Sequence, residues 1–152
     1  MSKRKSFKNR EIPGNWAICE TYIGEFPAFA YLRDGVGKLV GSHGWVLKAR
    51  IFWEYEVSGT GAMPTDEQMK TMIECENLLV AAIESDKFGI LTHSSICNGV
   101  RIWCFYIKDD TQELNKRIRR ALPQNNPFPI TIEVEEDKEW NEYCSAWAHC
   151  RL

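Results

Sequence analysis

The pair Asn98-Gly99 stands between two apolar runs and constrains the fold of this chain more than any other feature. Asn-Gly between apolar runs is the strongest short signal for a two-residue turn joining antiparallel strands, because both residues tolerate the positive φ that the turn requires. We therefore predict strands over residues 88–96 and 100–107, paired as a hairpin.

A third strand is predicted from the alternation over residues 45–57. Apolar residues occupy every second position from Trp45 to Val57, and charged residues occupy most of the positions between them. A period of two is typical of a strand with one buried face.

Two helices are predicted between these strands and after them. Thr65 followed by Gln68 has the capping-box spacing, and apolar residues then recur at steps of three and four until Asp86. Thr111 is predicted to cap a second helix that runs to about Leu122, where the proline-rich link 123–129 ends it.

The remaining segments complete an α+β domain. Residues 130–135 alternate as a last strand, and Asp137 is predicted to cap a short C-terminal helix containing Trp140, Tyr143 and Trp147. Residues 16–21 and 26–32 are predicted to form an N-terminal hairpin, with its second strand at a sheet edge because of Pro27. From residue 45 the element order predicts a ferredoxin-like split βαβ sandwich, an antiparallel sheet with two helices on one face.

Length and composition predict one domain. Among 152 residues, 44% are apolar and 26% charged, which is typical of globular proteins. We predict a basic tail over residues 1–14 and a single domain over residues 15–152. No window approaches a membrane span, and no apolar run of the signal-peptide type follows the basic N-terminus, so a cytoplasmic location is expected.

The cysteines are predicted to be free thiols in a reducing compartment, because they are scattered and form no CxxC motif. They are Cys19, Cys75, Cys97, Cys104, Cys144 and Cys150.

Three segments of the chain resemble a known family. They are Trp16 to Glu20, the hairpin around Asn98-Gly99 with its RIWCFY run, and the ending PITIE followed by EEDKEW and Tyr143. From Trp16 to Trp147 the chain is similar to bacterial family 695 of the domains of unknown function. The resemblance implies a ferredoxin-like α+β domain, sometimes found beside a domain similar to a regulator of ribonuclease E, and it implies no catalytic residues.

No catalytic, metal or cofactor site is predicted. His93, Cys97 and Cys104 could approach one another across the hairpin, and His149 and Cys150 lie near Cys144, but neither set has the close paired spacing of a structural zinc site. The glycine-rich segments 35–37 and 59–61 do not fit phosphate-binding fingerprints. An enzyme is therefore the third alternative.

The second alternative is a regulator that binds RNA or a ribonuclease. Arg101, Trp103 and Phe105 share one face of a predicted strand, as base-stacking aromatics do in RNA-recognition motifs. However, the RNA-binding signature is missing, and a net charge of −2 with a pI near 6.0 supplies no overall positive field. We predict that Trp103 and Phe105 belong to the core and that Arg101 stays visible to a partner.

The favoured hypothesis is a non-enzymatic protein-binding module, with an immunity or inhibitor protein of a bacterial toxin system as its narrower form. An acidic segment next to aromatic residues at helical spacing could form an anchor with a negative rim, although such an aromatic stripe more often packs its helix onto the domain. The predicted interface residues are Arg101, Glu133, Glu135, Glu136, Asp137, Glu139, Trp140, Tyr143 and Trp147.

Overall fold

The computed structural model describes residues 15–57, 63–125 and 128–150, so the predicted tail 1–14 and the glycine-rich segment 59–61 lie outside the described residues. These residues form a six-stranded antiparallel sheet and three α-helices. The predicted α+β class with an antiparallel sheet is therefore confirmed. The strands are β1 (Trp16–Ile23), β2 (Phe26–Arg33), β3 (Leu47–Glu54), β4 (Gly89–Cys97), β5 (Val100–Ile107) and β6 (Ile130–Glu136). The helices are α1 (Asp66–Glu84), α2 (Thr111–Ala121) and α3 (Asn141–Cys150), with a short 3₁₀ helix at Val36–Leu39.

The sheet order is β1-β2-β4-β5-β3-β6. The Asn98-Gly99 turn joins β4 to β5, as predicted, and both residues have positive φ. The N-terminal hairpin extends the sheet, because β2 pairs with β4. Within this hairpin the edge strand is thus β1, not β2 as predicted. Pro27 is tolerated in β2 because the pairing of β2 with β4 begins only at Ala28.

Each face of the sheet has its own apolar cluster. On the first face, α1 and α2 pack on alternate residues of β3, β4 and β5, including Trp103 and Phe105, which are fully buried as predicted. On the second face, the 3₁₀ helix and α3 pack over Ile90, Cys104 and Tyr106. Burial on both faces explains why β5 lacks a polar face.

Local hydrogen bonds explain where the helices begin. The predicted capping box is present, since Thr65 Oγ1 accepts from Gln68 N and Gln68 Oε1 accepts from Thr65 N. The cap of α2 is Asp110, not Thr111 as predicted, because the Asp110 carboxylate accepts from Glu113 N at 3.0 Å. Within the described residues, no helix has the length and apolar character needed to cross a bilayer.

Candidate functional site

Arg101 is buried, which corrects the prediction that it stays visible to a partner. It lies on the face covered by α1, is 7% exposed, and donates to Glu76 Oε1 at 3.1 Å and to Ser94 Oγ at 3.3 Å. The Tyr31 ring also lies 5.2 Å from its guanidinium carbon. A guanidinium can be buried in this way because a carboxylate and an aromatic ring compensate its charge.

Three further predicted interface residues are also buried, which corrects the hypothesis of an aromatic anchor. Trp140 is fully buried and donates from Nε1 to Trp45 O at 3.0 Å, and the Tyr143 hydroxyl donates to Arg33 O at 2.6 Å. Asp137 is buried because its carboxylate caps α3, accepting from Asn141 N at 2.8 Å and from Glu142 N at 3.1 Å. These contacts pack α3 onto the sheet.

The other predicted interface residues remain accessible. Glu133, Glu135, Glu136 and Glu139 are exposed, and Trp147 is half-buried. Three of these acids have a basic partner: Lys48 Nζ lies 2.8 Å from Glu135 Oε1, Arg50 Nη2 lies 3.7 Å from Glu133 Oε1, and Lys138 Nζ lies 3.7 Å from Glu136 Oε2. The strand β6, which carries three of the four acids, forms the sheet edge opposite β1.

Glu142 is the centre of a polar cluster between α3 and the sheet. Its Oε1 lies 3.1 Å from Lys48 Nζ and 3.2 Å from Arg50 Nη1, and its Oε2 lies 3.0 Å from His93 Nε2. Burial alone would raise the pKa of Glu142, but the hydrogen bonds and charges of His93 and Lys48 lower it to about 2. This carboxylate is therefore ionised and held by three basic side chains.

His93 and Cys104 stand directly opposite each other on β4 and β5. One ligand atom from each of His93, Cys104 and Glu142 can be chosen so that all three lie within 4.8 Å of one another. Thr92 Oγ1 lies 2.8 Å from His93 Nδ1 and 3.4 Å from Cys104 O. Burial raises the pKa of the Cys104 thiol well above 9.0, and the negative charge of Glu142 raises it further. A protonated, buried thiol is a poor nucleophile.

A cavity of about 320 Å³ opens beside this cluster, between α3 and the strands β1, β2 and β4. Its polar wall includes His93, Glu142 and Ser145. At one end His149 Nε2 lies 3.1 Å from Thr21 Oγ1, and Cys150 forms a disulfide with Cys19. Its volume is within the range of small-ligand pockets.

The Cys19–Cys150 disulfide corrects the prediction that all six cysteines are free thiols. The partners are 131 positions apart in sequence, and only the pairing of β1 with the sheet and the packing of α3 bring their Cα atoms to 5.8 Å. Cys75, Cys97, Cys104 and Cys144 are free.

The β1–β2 hairpin exposes four large apolar side chains for which the sequence predicted no role. The exposed fractions are 67% for Ile18, 67% for Tyr22, 57% for Ile23 and 39% for Phe26. The sequence carried a signal for this exposure, because the turn at Gly24 is flanked by large apolar residues on both sides. We call these four residues the hairpin surface.

Glu142 is the other functional candidate that sequence reasoning missed. The predicted hairpin allows His93 and Cys104 to approach each other, but Glu142 comes from a helix that follows in sequence more than thirty residues after Cys104. No local pattern indicates that contact, which depends on the way α3 covers the second face.

One family model, described as a family of unknown function (DUF695), matches residues 14–146. No curated protein matches the chain.

Proposed function

We propose that this chain, which belongs to the family of unknown function DUF695, is a non-enzymatic protein-binding module whose partner contacts the hairpin surface. The observation that carries the proposal is the exposure of four large apolar side chains on one hairpin. Exposure of large apolar side chains is unfavourable in water, at roughly 25 cal/mol per Å², and a partner that covers them recovers this free energy.

The position of β1 supports the same proposal. β1 is an edge of the described sheet and pairs only with β2 there, so its outer backbone groups can accept a strand from another protein. Lysine and proline, which commonly protect edge strands, do not occur in Trp16–Ile23; Glu20 is the one charged residue of this strand.

The narrower proposal is an immunity or inhibitor protein of a bacterial toxin system, acting in the cytoplasm. Small size, a net charge of −2 and the exposed acids of β6 support it, since an acidic edge can steer a basic partner. The Cys19–Cys150 disulfide weighs against a reducing cytoplasm, because disulfides persist mainly in oxidising compartments.

We also propose that the part of the sheet from β3 onward, with α1 and α2, has a ferredoxin-like arrangement. It is supported by the order β6-β3-β5-β4 within the sheet and by the placement of α1 and α2 on one face.

Binding of RNA is less well supported by the geometry. Trp103 and Phe105, the aromatic residues that could stack on bases, are fully buried under α1 and α2. Base stacking requires an accessible ring face.

The test is quantitative affinity capture from a native extract, followed by mass spectrometry and by titration of the purified partner. The bait variants are the wild type, the double variant Tyr22→Ser/Ile23→Ser, and the matched control Ile73→Ser, which removes an exposed isoleucine of α1. We expect the wild type and the control to bind one partner equally, and the double variant to bind about tenfold or more weakly, the equivalent of about 1.4 kcal/mol. Equal binding by all three, or recovery of nucleic acid without a protein partner, would contradict the proposal.

A further inference from the structure

We propose that His93, Cys104 and Glu142 form a Zn²⁺ site with its fourth coordination position open to the cavity beside α3. The proposal differs from the sequence-based prediction of no metal site, and it is independent of the proposed hairpin interface.

The geometry of the three side chains carries the inference. Their ligand atoms lie within 4.8 Å of one another. Zinc binds sulfur at about 2.3 Å and nitrogen or oxygen at about 2.0–2.2 Å, so tetrahedral ligand atoms stand roughly 3–4 Å apart. Small side-chain rotations are therefore enough to enclose an ion. Thiolate, imidazole and carboxylate are all ligands that zinc accepts.

The sheet fixes two of the ligands. His93 and Cys104 are cross-strand neighbours on β4 and β5, so the backbone ladder sets the distance between them. The third ligand is positioned by the cap of α3, where Asp137 accepts from the amide of Glu142 at 3.1 Å. An ion would thus join β4, β5 and α3, which the fold already holds next to one another.

Outer contacts orient the ligands as they do in zinc sites. The Thr92 hydroxyl is placed to donate to Cys104 O at 3.4 Å, and its oxygen can then accept from His93 Nδ1 at 2.8 Å. That arrangement leaves Nε2 directed at Glu142 and available to an ion. Lys48 and Arg50 hold Glu142 Oε1, whereas Oε2 faces the histidine.

The charge of the cluster also matches a dication. Two basic side chains, Lys48 and Arg50, contact three carboxylates, those of Glu133, Glu135 and Glu142, so these groups together carry a charge of −1. Zinc binds the neutral imidazole of His93 and the thiolate of Cys104, and these forms bring the charge to −2, which one Zn²⁺ neutralises. Without the ion, Cys104 stays a thiol.

The fourth position would face the cavity, because His93 and Glu142 form part of its wall. Three protein ligands and one open position distinguish zinc sites that bind water or a small ligand from closed structural sites.

The test is titration of the full-length, disulfide-intact protein with Co²⁺ and then Zn²⁺, without thiol reductants. We expect one Co²⁺ per chain after desalting, visible bands of a tetrahedral ion, and a near-ultraviolet charge-transfer band from a thiolate ligand; Zn²⁺ should displace the cobalt and remove these bands. Cys104→Ser should abolish the charge-transfer band, and His93→Gln should abolish stoichiometric binding. Thr92→Val should weaken binding roughly 10- to 100-fold through the lost hydrogen bond.

The matched control is Cys144→Ser, which removes an exposed free thiol from the same helix as Glu142 and should leave binding unchanged. Far-ultraviolet circular dichroism checks folding of each variant, and if Cys104→Ser fails to fold, His93→Gln and Thr92→Val decide. Absence of stoichiometric metal, equal binding by the wild type and folded His93→Gln, or loss of binding in Cys144→Ser would overturn the proposal.

Discussion

At the scale of single residues, Arg33 and Glu84 form a fully buried ion pair. Arg33 Nη1 donates to Glu84 Oε2 at 3.2 Å and to Leu91 O at 3.0 Å, while Leu91 N donates to the same carboxylate oxygen at 2.7 Å. Both side chains have no accessible surface. The pair joins the end of β2 to α1 and β4, so it anchors the N-terminal hairpin to the rest of the sheet.

We predict that Glu84→Gln lowers the free energy of unfolding by about 3 to 5 kcal/mol, because it leaves a buried guanidinium without its counter-charge. Urea denaturation followed by fluorescence measures the change. The control is Glu136→Gln, whose partner Lys138 lies 3.7 Å away with both side chains about two-thirds exposed. Exposed pairs contribute at most about 1 kcal/mol. If Glu84→Gln lowers the free energy of unfolding no more than Glu136→Gln does, the buried pair does not contribute as inferred.

At the scale of elements, Arg117 connects the two helices of the first face. From α2 it donates to both carboxylate oxygens of Asp86, each at 2.7 Å, and to Ala82 O in α1 at 3.0 Å. Its guanidinium carbon also lies 4.4 Å from the Phe88 ring centroid. The hydrogen bonds from Arg117 lower the pKa of Asp86 from 3.8 to about 2.

The sign of this shift predicts acid sensitivity. Because the pKa of Asp86 is lower in the folded protein, its ion pair contributes stability above about pH 4, and that contribution is lost as the pH falls towards 2. Asp86→Asn should therefore be less stable than the wild type near neutral pH, and the difference should shrink between about pH 5 and pH 2. Urea denaturation at several pH values measures it. A difference that stays constant over this range would contradict the prediction.

At the scale of the whole molecule, one covalent bond joins the beginning and the end of the sheet-and-helix structure. Cys19 lies on the edge strand β1, and Cys150 is the last residue of α3. The disulfide therefore encloses most of the chain in one covalent loop, and Cys150 lines one end of the cavity. A cross-link of this kind stabilises the folded state mainly by restricting the unfolded chain.

We predict that Cys19→Ser lowers the free energy of unfolding by about 2 to 5 kcal/mol under non-reducing conditions. Cys144→Ser serves as the control, since it removes a free, exposed cysteine of α3. Thermal unfolding and thiol titration of both variants measure the effect. If Cys19→Ser unfolds at the wild-type temperature in the absence of reductant, the disulfide does not form in solution.

The sequence by itself determined the elements, because their signals are local. Asn98-Gly99 specified the central hairpin, Thr65 with Gln68 specified the start of α1, and the alternation around Trp53 specified β3.

The tertiary structure decided which side chains are exposed and which contact one another. Arg101 is buried because Glu76 lies above it, Trp140 is covered by Trp45 and Tyr106, and Cys19 meets Cys150. Glu142 reaches His93 only because α3 lies over the second face. Neighbouring residues set the periodicity of a strand or helix, whereas contacts between distant residues depend on how the faces pack, and no local pattern encodes that packing.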